Sequence, residues 1–465
     1  MKPEDRALDI AVVGLGQGGG NLAAQFAQLG YRSIALNTAL TDLSALDDEG
    51  DGKSVTPDHR VYIGIDGYDG AGGDLNYGRE CVRENAEKIR KAVADHAAAA
   101  DLVLITAGLG GGTGSAASEL VRTLDSLELP VAVLATLPTE SESGMAKVNA
   151  MRGAAALVQI EGPSWIFVDN SRLARRHSDV SVDRYFETIN AEIVQPLDSL
   201  NRVNHGLDVR PIRTLDGEDL RRLLLSGGAI NYAGDELVTL DVASVVNKVR
   251  EGLESSSLMP SGFALEQIST LGVVIQAPEE VLACTPFSFF ERLNEKLKDA
   301  TGGAGVYLGV YRSRARGSLA RLQFICSSRQ LPDGILAMVN DARREGSTLR
   351  DKLQQALAPL EVGEIEDFDL FRTGVRTSPA RKGRQRRPVL PDLSEEGLGL
   401  SSAPPPRRHR PAAITPDSSV RASSMPPETA GAETGSRPAA SPEPVAKSQR
   451  PSALPEVRSK PDATG

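Results

Sequence analysis

The chain has 465 residues, enough for two or three domains, with 40% hydrophobic and only 4% aromatic residues and a formal net charge of −10. The charge is uneven. Residues 376–465 carry about 15 basic against 9 acidic side chains, and the remainder about 37 against 53, which argues against a nucleic-acid surface on the body and leaves the tail free to touch a partner or an anionic surface. Three scattered cysteines (Cys81, Cys284, Cys326) without metal spacing, no apolar run of membrane-crossing length and a charged opening with no signal-peptide pattern lead us to expect a soluble, cytoplasmic protein with no transmembrane segment.

In chain order, Leu8 to Val13 is a short apolar run that reads as the first strand of an α/β sheet. Gly14-Leu15-Gly16-Gln17-Gly18-Gly19-Gly20-Asn21 follows, then a helical pattern to Leu29. G-x-G-x-x-G after a strand fits a dinucleotide fold, which wants an acid at the end of the next strand. It also fits a phosphate loop for a nucleoside triphosphate, and the next strand, Ser33 to Leu36, ends in Asn37-Thr38. A polar loop, a possible strand from Val61 to Ile65 and a glycine-rich turn, Gly70-Ala71-Gly72-Gly73-Asp74, lead to a charged helix from Arg79 to His96, whose His96 is expected at the surface. The apolar run Asp101 to Ile105 reads as a buried parallel strand. It opens into a loop with Gly108, Gly110, Gly111, Gly112, Thr113, Gly114 and Ser115, then a helix-like run from Ala116 to Leu127. Such a loop leaves backbone N–H groups free for phosphate oxygens, the helix aims its positive end at the same place, and Thr113 and Ser115 add hydroxyls.

Strands follow at Val131 to Thr136 and Trp165 to Val168, with loops at Leu137 to Gly144 and Asp169 to Leu173. On a long helix from Ser181 to Val203, Phe186 and Asn190 share a face, suiting an aromatic that stacks on a base and an amide that bonds its edge; Phe186 could equally be core. Asp216 and Asp219 open another helix, either as caps and dipole partners or as catalytic carboxylates. Beyond them, helices at Asp241 to Glu254 and Pro286 to Ala300 alternate with strands at Thr270 to Gln276, Gly305 to Arg312 and Leu319 to Cys326, an α+β pattern. Helical character from Asp333 to Leu357 precedes a Pro/Ser/Ala-rich segment that cannot bury enough surface to fold, so a disordered tail is expected.

The string Gly110-Gly111-Gly112-Thr113-Gly114-Ser115 between strand and helix resembles the signature of the tubulin/FtsZ family, with Ala116 where glycine is usual. Gly14 to Asn21 looks like that family's first phosphate loop. Asn37-Thr38-Ala39-Leu40 resembles its second, with Ala39 in the usual place of Asp and Asp42 close by. Gly70 to Asp74 resembles the loop that senses the terminal phosphate. Leu137 to Gly144 is the least family-like; Glu142 and Lys147 stand near its acidic and basic positions. Asp169 to Leu173 resembles the loop whose Asn reads guanine, and Arg213 to Leu220 the catalytic loop, with Thr214 replacing its Asn.

The resemblance implies an α/β fold: a parallel-sheet nucleotide-binding domain of tubulin/FtsZ type (1–180), a central helix and catalytic loop (181–221), a second α+β domain (222–330), a helical extension (331–375) and a disordered basic tail (376–465). It implies GTP or GDP with Mg²⁺, and no protein metal ligand is singled out. The implied contacts are Gly16, Gln17, Gly18, Gly19, Asn21, Gly72, Gly108, Gly110, Gly111, Gly112, Thr113, Gly114, Ser115, Glu142, Lys147, Asn170, Phe186 and Asn190. Asp216 and Asp219 would act on the nucleotide of a neighbouring copy in a head-to-tail filament. The competing expectation is a GTP-binding scaffold of the same fold with little turnover or polymerisation. Cell division, DNA partition and other polymer tasks are not distinguished.

Overall fold

The computed structural model describes residues 5–337, apart from 47–54, 66–68, 206–208, 259, 315–316, 329, 332 and 336. The expected tail, and the helical extension beyond 337, lie outside the described residues.

Six parallel strands form the first half of the sheet: β1 (Ile10–Leu15), β2 (Arg32–Asn37), β3 (Arg60–Tyr62), β4 (Leu102–Gly108), β5 (Val131–Leu137) and β6 (Ser164–Asp169), in the order β3-β2-β1-β4-β5-β6. Their near-continuous apolar runs are what a sheet covered on both faces requires. Alternate residues go to opposite cores. Val13, Ile105, Val133 and Phe167 meet α3 (Leu75–Glu84), α4 (Ala86–Ala97), α5 (Ala117–Leu124) and α6 (Gly144–Val158). Val12, Leu104, Leu134 and Val168 meet α1 (Gly16–Gln28) and the long α8 (Val182–Arg202). Two short helices, α2 (Leu40–Ser44) and α7 (Asn170–Arg176), leave the ends of β2 and β6.

The second half is mixed. After β7 (Val209–Arg213) and α9 (Gly217–Leu224) come β8 (Gly228–Leu237), α10 (Val242–Ser255), β9 (Ile268–Pro278), α11 (Glu279–Ala283), α12 (Ser288–Ala300), β10 (Gly305–Ser313) and β11 (Ala320–Ser328). β8 pairs in parallel with β6 and antiparallel with β11, so the sheet continues as β6-β8-β11-β9-β10-β7. One face packs on α10 and α12 in a core of its own. The other contributes Tyr232, Val274, Tyr311 and Ile325 to the core around α8, so α8 supports both halves.

Three local expectations are corrected. The charged helix breaks at Asn85, whose side-chain amide bonds Ile63 and Cys81 carbonyls at 3.0 and 2.9 Å, giving two helices, the first beginning at Leu75 under an Asp74 cap. His96 is not a surface residue: it is 8% exposed, ring to edge with His59 at 5.0 Å, and Arg32 bonds its carbonyl. Residues 170–173 are not a loop but the start of α7, because the Asp169 carboxylate caps it at the Ser171 N–H. Edge strand β7 was not foreseen, since Arg-Pro-Ile-Arg carries no strand alternation and is exposed. No helix among the described residues is long and apolar enough to cross a membrane.

Candidate functional site

β1 continues into β2 on one side through α1, while β4 lies on its other side. The carboxyl ends of β1 and β4 therefore flank a topological switch point, where open α/β sheets leave a crevice. A cleft of about 460 Å³ lies there, lined by the exits of β1, β2, β4, β5 and β6.

The β1 exit turns at Gly16, whose φ of +71° suits glycine and whose Cβ, if present, would come within 2.9 Å of the Gly114 nitrogen. Leu15 is the N-cap of α1; it makes no side-chain cap bond, and no acid sits in the first turn. The first N–H groups of α1 are thus left to whatever occupies the cleft, with the positive end of the helix behind them. Gly16, Gln17 and Gly18 line the cleft. Gly19 does not: it is packed where a Cβ would collide with the Thr106 carbonyl, and Thr106 Oγ1 donates to the Gly19 oxygen at 2.8 Å. Asn21 is half-buried on α1 and also stays out of the lining.

From β4, Gly108, Gly110, Gly111, Gly112, Thr113 and Gly114 all line the cleft. A Cβ on Gly114 would strike the Gly108 oxygen, and one on Gly112 would lie 2.7 Å from the Asp74 oxygen, whereas one on Gly111 meets nothing within 4 Å. Glycine is thus needed at 112 and 114 to let backbones approach, and at 111 the neighbouring space is open. Thr113 is tied to Thr38 by a 2.7 Å hydroxyl pair. Ser115 is buried and gives its hydroxyl to the Leu109 carbonyl, so its side chain serves the turn and not the cleft.

At the β2 exit Asn37 donates to Asp42 at 3.0 Å and accepts from the Ala39 N–H at 3.2 Å. Asp69 caps α2 through the Leu40 N–H and the Thr41 hydroxyl. Asp42 and Asp69 therefore both face the cleft, next to Gly70 to Gly73, where Gly70, Gly72 and Gly73 have positive φ. Asn149, 2% exposed on α6, donates to the Gly73 and Gly110 carbonyls at 2.7 and 3.3 Å and pins the two glycine loops together. Asp69 and Asn149 were missed by sequence reasoning, since a lone acid in a loop and an amide inside a helix carry no signal of their own.

At the β5 exit Glu142 lines the cleft and accepts from the Thr139 N–H at 2.8 Å, while Ser143 caps α6. Lys147 sits half-buried in the first turn of α6, outside the lining. At the β6 exit Asn170 lines the cleft, and its buried Oδ1 finds no hydrogen-bond partner among the described residues. A buried amide oxygen left unpaired is costly unless a ligand meets it. Phe186 is 67% exposed and so is not core; neither it nor the half-buried Asn190 lines the cleft.

Asp216 and Asp219 lie elsewhere. They form a reciprocal capping box at the start of α9: the Asp219 N–H donates to Asp216 at 2.8 Å, and the Asp216 N–H donates back to Asp219 at 3.4 Å. A Cβ on Gly217 would be 2.7 Å from the Ala7 oxygen, and Ala7 and Leu8 are bonded to Asn201 near the end of α8. The two acids thus stand by the beginning of β1, while the cleft stands at its end. β1 alone, six residues, separates them by about 20 Å at roughly 3.3 Å per residue. The residue before them is held as well: the Leu215 N–H donates to the Tyr311 hydroxyl at 2.9 Å, which donates to Asn204 at 2.6 Å. Burial pushes the Tyr311 hydroxyl up to about 12, so it remains a donor across the accessible pH range.

Glycine loops at a topological switch point, an uncapped helix start and an unpaired amide define a protein that binds a phosphorylated nucleotide. Residues 9–177 match the model of the Tubulin/FtsZ family, GTPase domain. A tubulin-like protein CetZ of Pyrococcus abyssi is 29% identical over 343 residues, covering 71% of this chain and 90% of that one. Among solved structures, CetZ2 of Haloferax volcanii as a GTPγS-bound protofilament aligns with a TM-score of 0.59 and 23% identity, over 74% of this chain and 100% of that one. A GTPγS-form protofilament of Bacillus thuringiensis serovar israelensis TubZ aligns with 0.61 and 20%, over 76% and 95%. At those identities the structural likeness speaks for the fold. Residues 9–177 thus match a GTPase domain of the tubulin/FtsZ type, and the chain as a whole is similar to tubulin-like proteins.

Proposed function

We propose that the cleft binds GTP and that its hydrolysis is completed between two copies stacked head to tail, in a cytoplasmic filament. The observation that carries this is the separation of the two chemistries along β1. Phosphate donors gather at one end and an acidic pair at the other, so neither can serve the other within one chain. The electrostatics point the same way. Asp42, Asp69 and Glu142 line the cleft, and among the described lining residues there is no Lys or Arg. A triphosphate there depends on backbone N–H groups, the α1 dipole and a bound divalent cation. Asp42 and Asp69 are the residues that would hold Mg²⁺, which supplies charge neutralisation for the phosphates when bound.

In this reading Gly16 to Gly18 and Gly108 to Gly114 cradle the phosphates, and Gly72 closes over the terminal one. Glu142 and Asn170 address the sugar and the base. Lys147, Phe186 and Asn190 would have to move to reach the nucleotide, while Gly19, Asn21 and Ser115 shape the loops. Asp216 and Asp219 orient the attacking water on the neighbour's nucleotide. The divisions near residues 180, 221, 330 and 375 belong to the same proposal, as do a separable tail and a tail contact with a partner or an anionic surface.

The test is a mixture. A Gly111→Val chain, unable to bind GTP, should restore turnover to an Asp216→Ala chain that binds it. Wild-type turnover per subunit should rise with concentration. Turnover independent of concentration and of Asp216 would sink the intersubunit scheme.

One observation favours a second reading. Both acids already have a structural task as a capping box, as in a GTP-binding scaffold with little turnover. Light scattering with GTP, set beside phosphate release, separates the two.

A further inference from the structure

We infer that α7 couples the nucleotide cleft to the second half of the molecule, with Arg172 as the positioning residue; this rests on the GTP reading of the cleft. α7 is seven residues long and is anchored by Leu173, which is fully buried. Its first residue, Asn170, lines the cleft and carries a buried amide oxygen with no hydrogen-bond partner among the described residues. Its second, Ser171, accepts the Glu140 N–H at 2.9 Å, and Arg175 pairs with the Glu140 carboxylate at 3.0 Å, so the β5 exit loop moves with it.

Arg172 points the other way. Its guanidinium donates to the Glu254 carbonyl at 2.8 Å and the Ser256 carbonyl at 2.9 Å, at the carboxyl end of α10. The last carbonyls of a helix lack partners within it and carry the negative end of the dipole, so a forked cation suits them on both counts. The neighbouring segment is held as well. Ser257 donates to Glu192 of α8, and the same carboxylate takes His177 and, at 3.5 Å, Arg176 from the end of α7. Leu258 then enters the core shared with α8. Asn170 and Arg172 are two residues apart on one helix, so a displacement of either amide or guanidinium is passed on through the backbone.

A ligand that fixes Asn170 therefore also fixes the seat of α10, and by linkage the docked α10 holds Asn170 in place for the ligand. Arg172 touches no reacting group; it acts through Asn170.

Hydrogen exchange with and without GTPγS reads this directly, alongside GTP affinity, for the full chain and for Arg172→Gln and Arg172→Lys. In the wild type, nucleotide should slow exchange both at 170–176 and at 242–258. In Arg172→Gln, saturating nucleotide should still protect 170–176 but leave 242–258 unchanged, and GTP affinity should fall about 5-fold or more. Arg172→Lys, which keeps the charge and a single donor group, should restore part of both effects, and it serves alone if the Gln variant does not fold. Persistence of the 242–258 response in Arg172→Gln, or in Arg172→Lys at full wild-type size, overturns the coupling. A wild type that responds at 170–176 but not at 242–258 overturns it too, while leaving the GTP reading intact. A wild type that responds nowhere overturns the GTP reading and this inference together.

Discussion

The two ends of β1 solve opposite problems. At its carboxyl end the chain removes side chains: glycines, an uncapped helix start and carbonyl-pinned loops leave backbone N–H groups facing open space. At its amino end the chain supplies side chains: two carboxylates, each engaged with the other's backbone, on a helix whose buried face is Leu220, Leu223 and Leu224. Carboxylates within a few ångströms of a triphosphate repel it unless a cation intervenes, so each acid near the phosphates carries an electrostatic cost that the distant pair does not. The difference teaches that local sequence can encode a phosphate cradle, whereas the meaning of an acidic pair depends on what stands across from it.

The sharpest way to break this comparison is at the cleft. Gly111→Val should lower GTP affinity at least about 100-fold, measured by nucleotide titration, while the melting temperature stays near that of the wild type, because among the described residues nothing beyond its own chain neighbours lies within 4 Å of the new Cβ. Gly114→Val should instead damage folding, since its Cβ meets the Gly108 carbonyl. Equal stability losses in the two variants would show that the loop is only a tight turn.

Next in size is the other end. If the acids act on a neighbour, Asp216→Ala should cut turnover by about 10²-fold or more with GTP affinity within about 2-fold. The cap itself accounts for only about 1 kcal/mol. Asp216→Asn separates charge from capping: the amide oxygen can still accept the Asp219 N–H bonded at 2.8 Å, so stability should hold while turnover falls as far as in the Ala variant. Full activity in Asp216→Asn would leave the acids as caps.

A smaller effect is expected where the two glycine loops meet. Asn149→Ala leaves the Gly73 and Gly110 carbonyls without their common donor, at a cost of about 1–3 kcal/mol by denaturant unfolding. GTP affinity should drop with it, by less than in Gly111→Val, because the backbone cradle persists. An unchanged affinity would show that the loops hold their places independently.

The smallest effect concerns the flank of the same sheet. Burial first, helped by the nearby His59 and Arg32 charges, lowers the His96 imidazole to about 4, against the opposing pull of a hydrogen bond with the Arg32 backbone and of Asp9. Because the folded value lies below the usual 6.5, the unfolded chain binds the extra proton first. The associated stability is present above pH 6.5 and is lost as the pH falls from 6.5 toward 4. Replacing His96 by Gln should flatten that part of the stability profile, read from melting temperatures between pH 7 and 4. An unaltered acid limb would assign it to other groups.

Much of the architecture was legible in the sequence, for reasons that particular residues make plain. The strands from Ile10, Leu102 and Val131 are apolar apart from Thr106 and Thr136 because they are covered on both faces, and each ends in a glycine or turn motif. Elements whose form depends on partners were harder. Nothing local marks Asn85 as a break until its amide has the Ile63 carbonyl to bond. Val209 to Arg213 becomes a strand only because Tyr311 to Ser313 lie beside it. His96 is a polar residue at a helix end, and only the packing of Arg32 and His59 around it makes it interior.

The sequence by itself determined the chemistry of the cradle. A phosphate loop is a property of short contiguous strings, since glycine and the start of a helix act on the backbone within a few residues. It therefore also carried the resemblance to the tubulin/FtsZ family and the order of the parallel strands. Only the tertiary structure decided which glycines face the cleft and which serve close packing, because Gly111 and Gly114 are alike in sequence and differ in what surrounds them. Only it brought Asp69 to the cleft beside Asp42, left the Asn170 amide oxygen without a partner among the described residues and set the acidic pair at the far end of β1. Those outcomes depend on contacts between segments distant in the chain, and such contacts exist only once the sheet has brought those segments together.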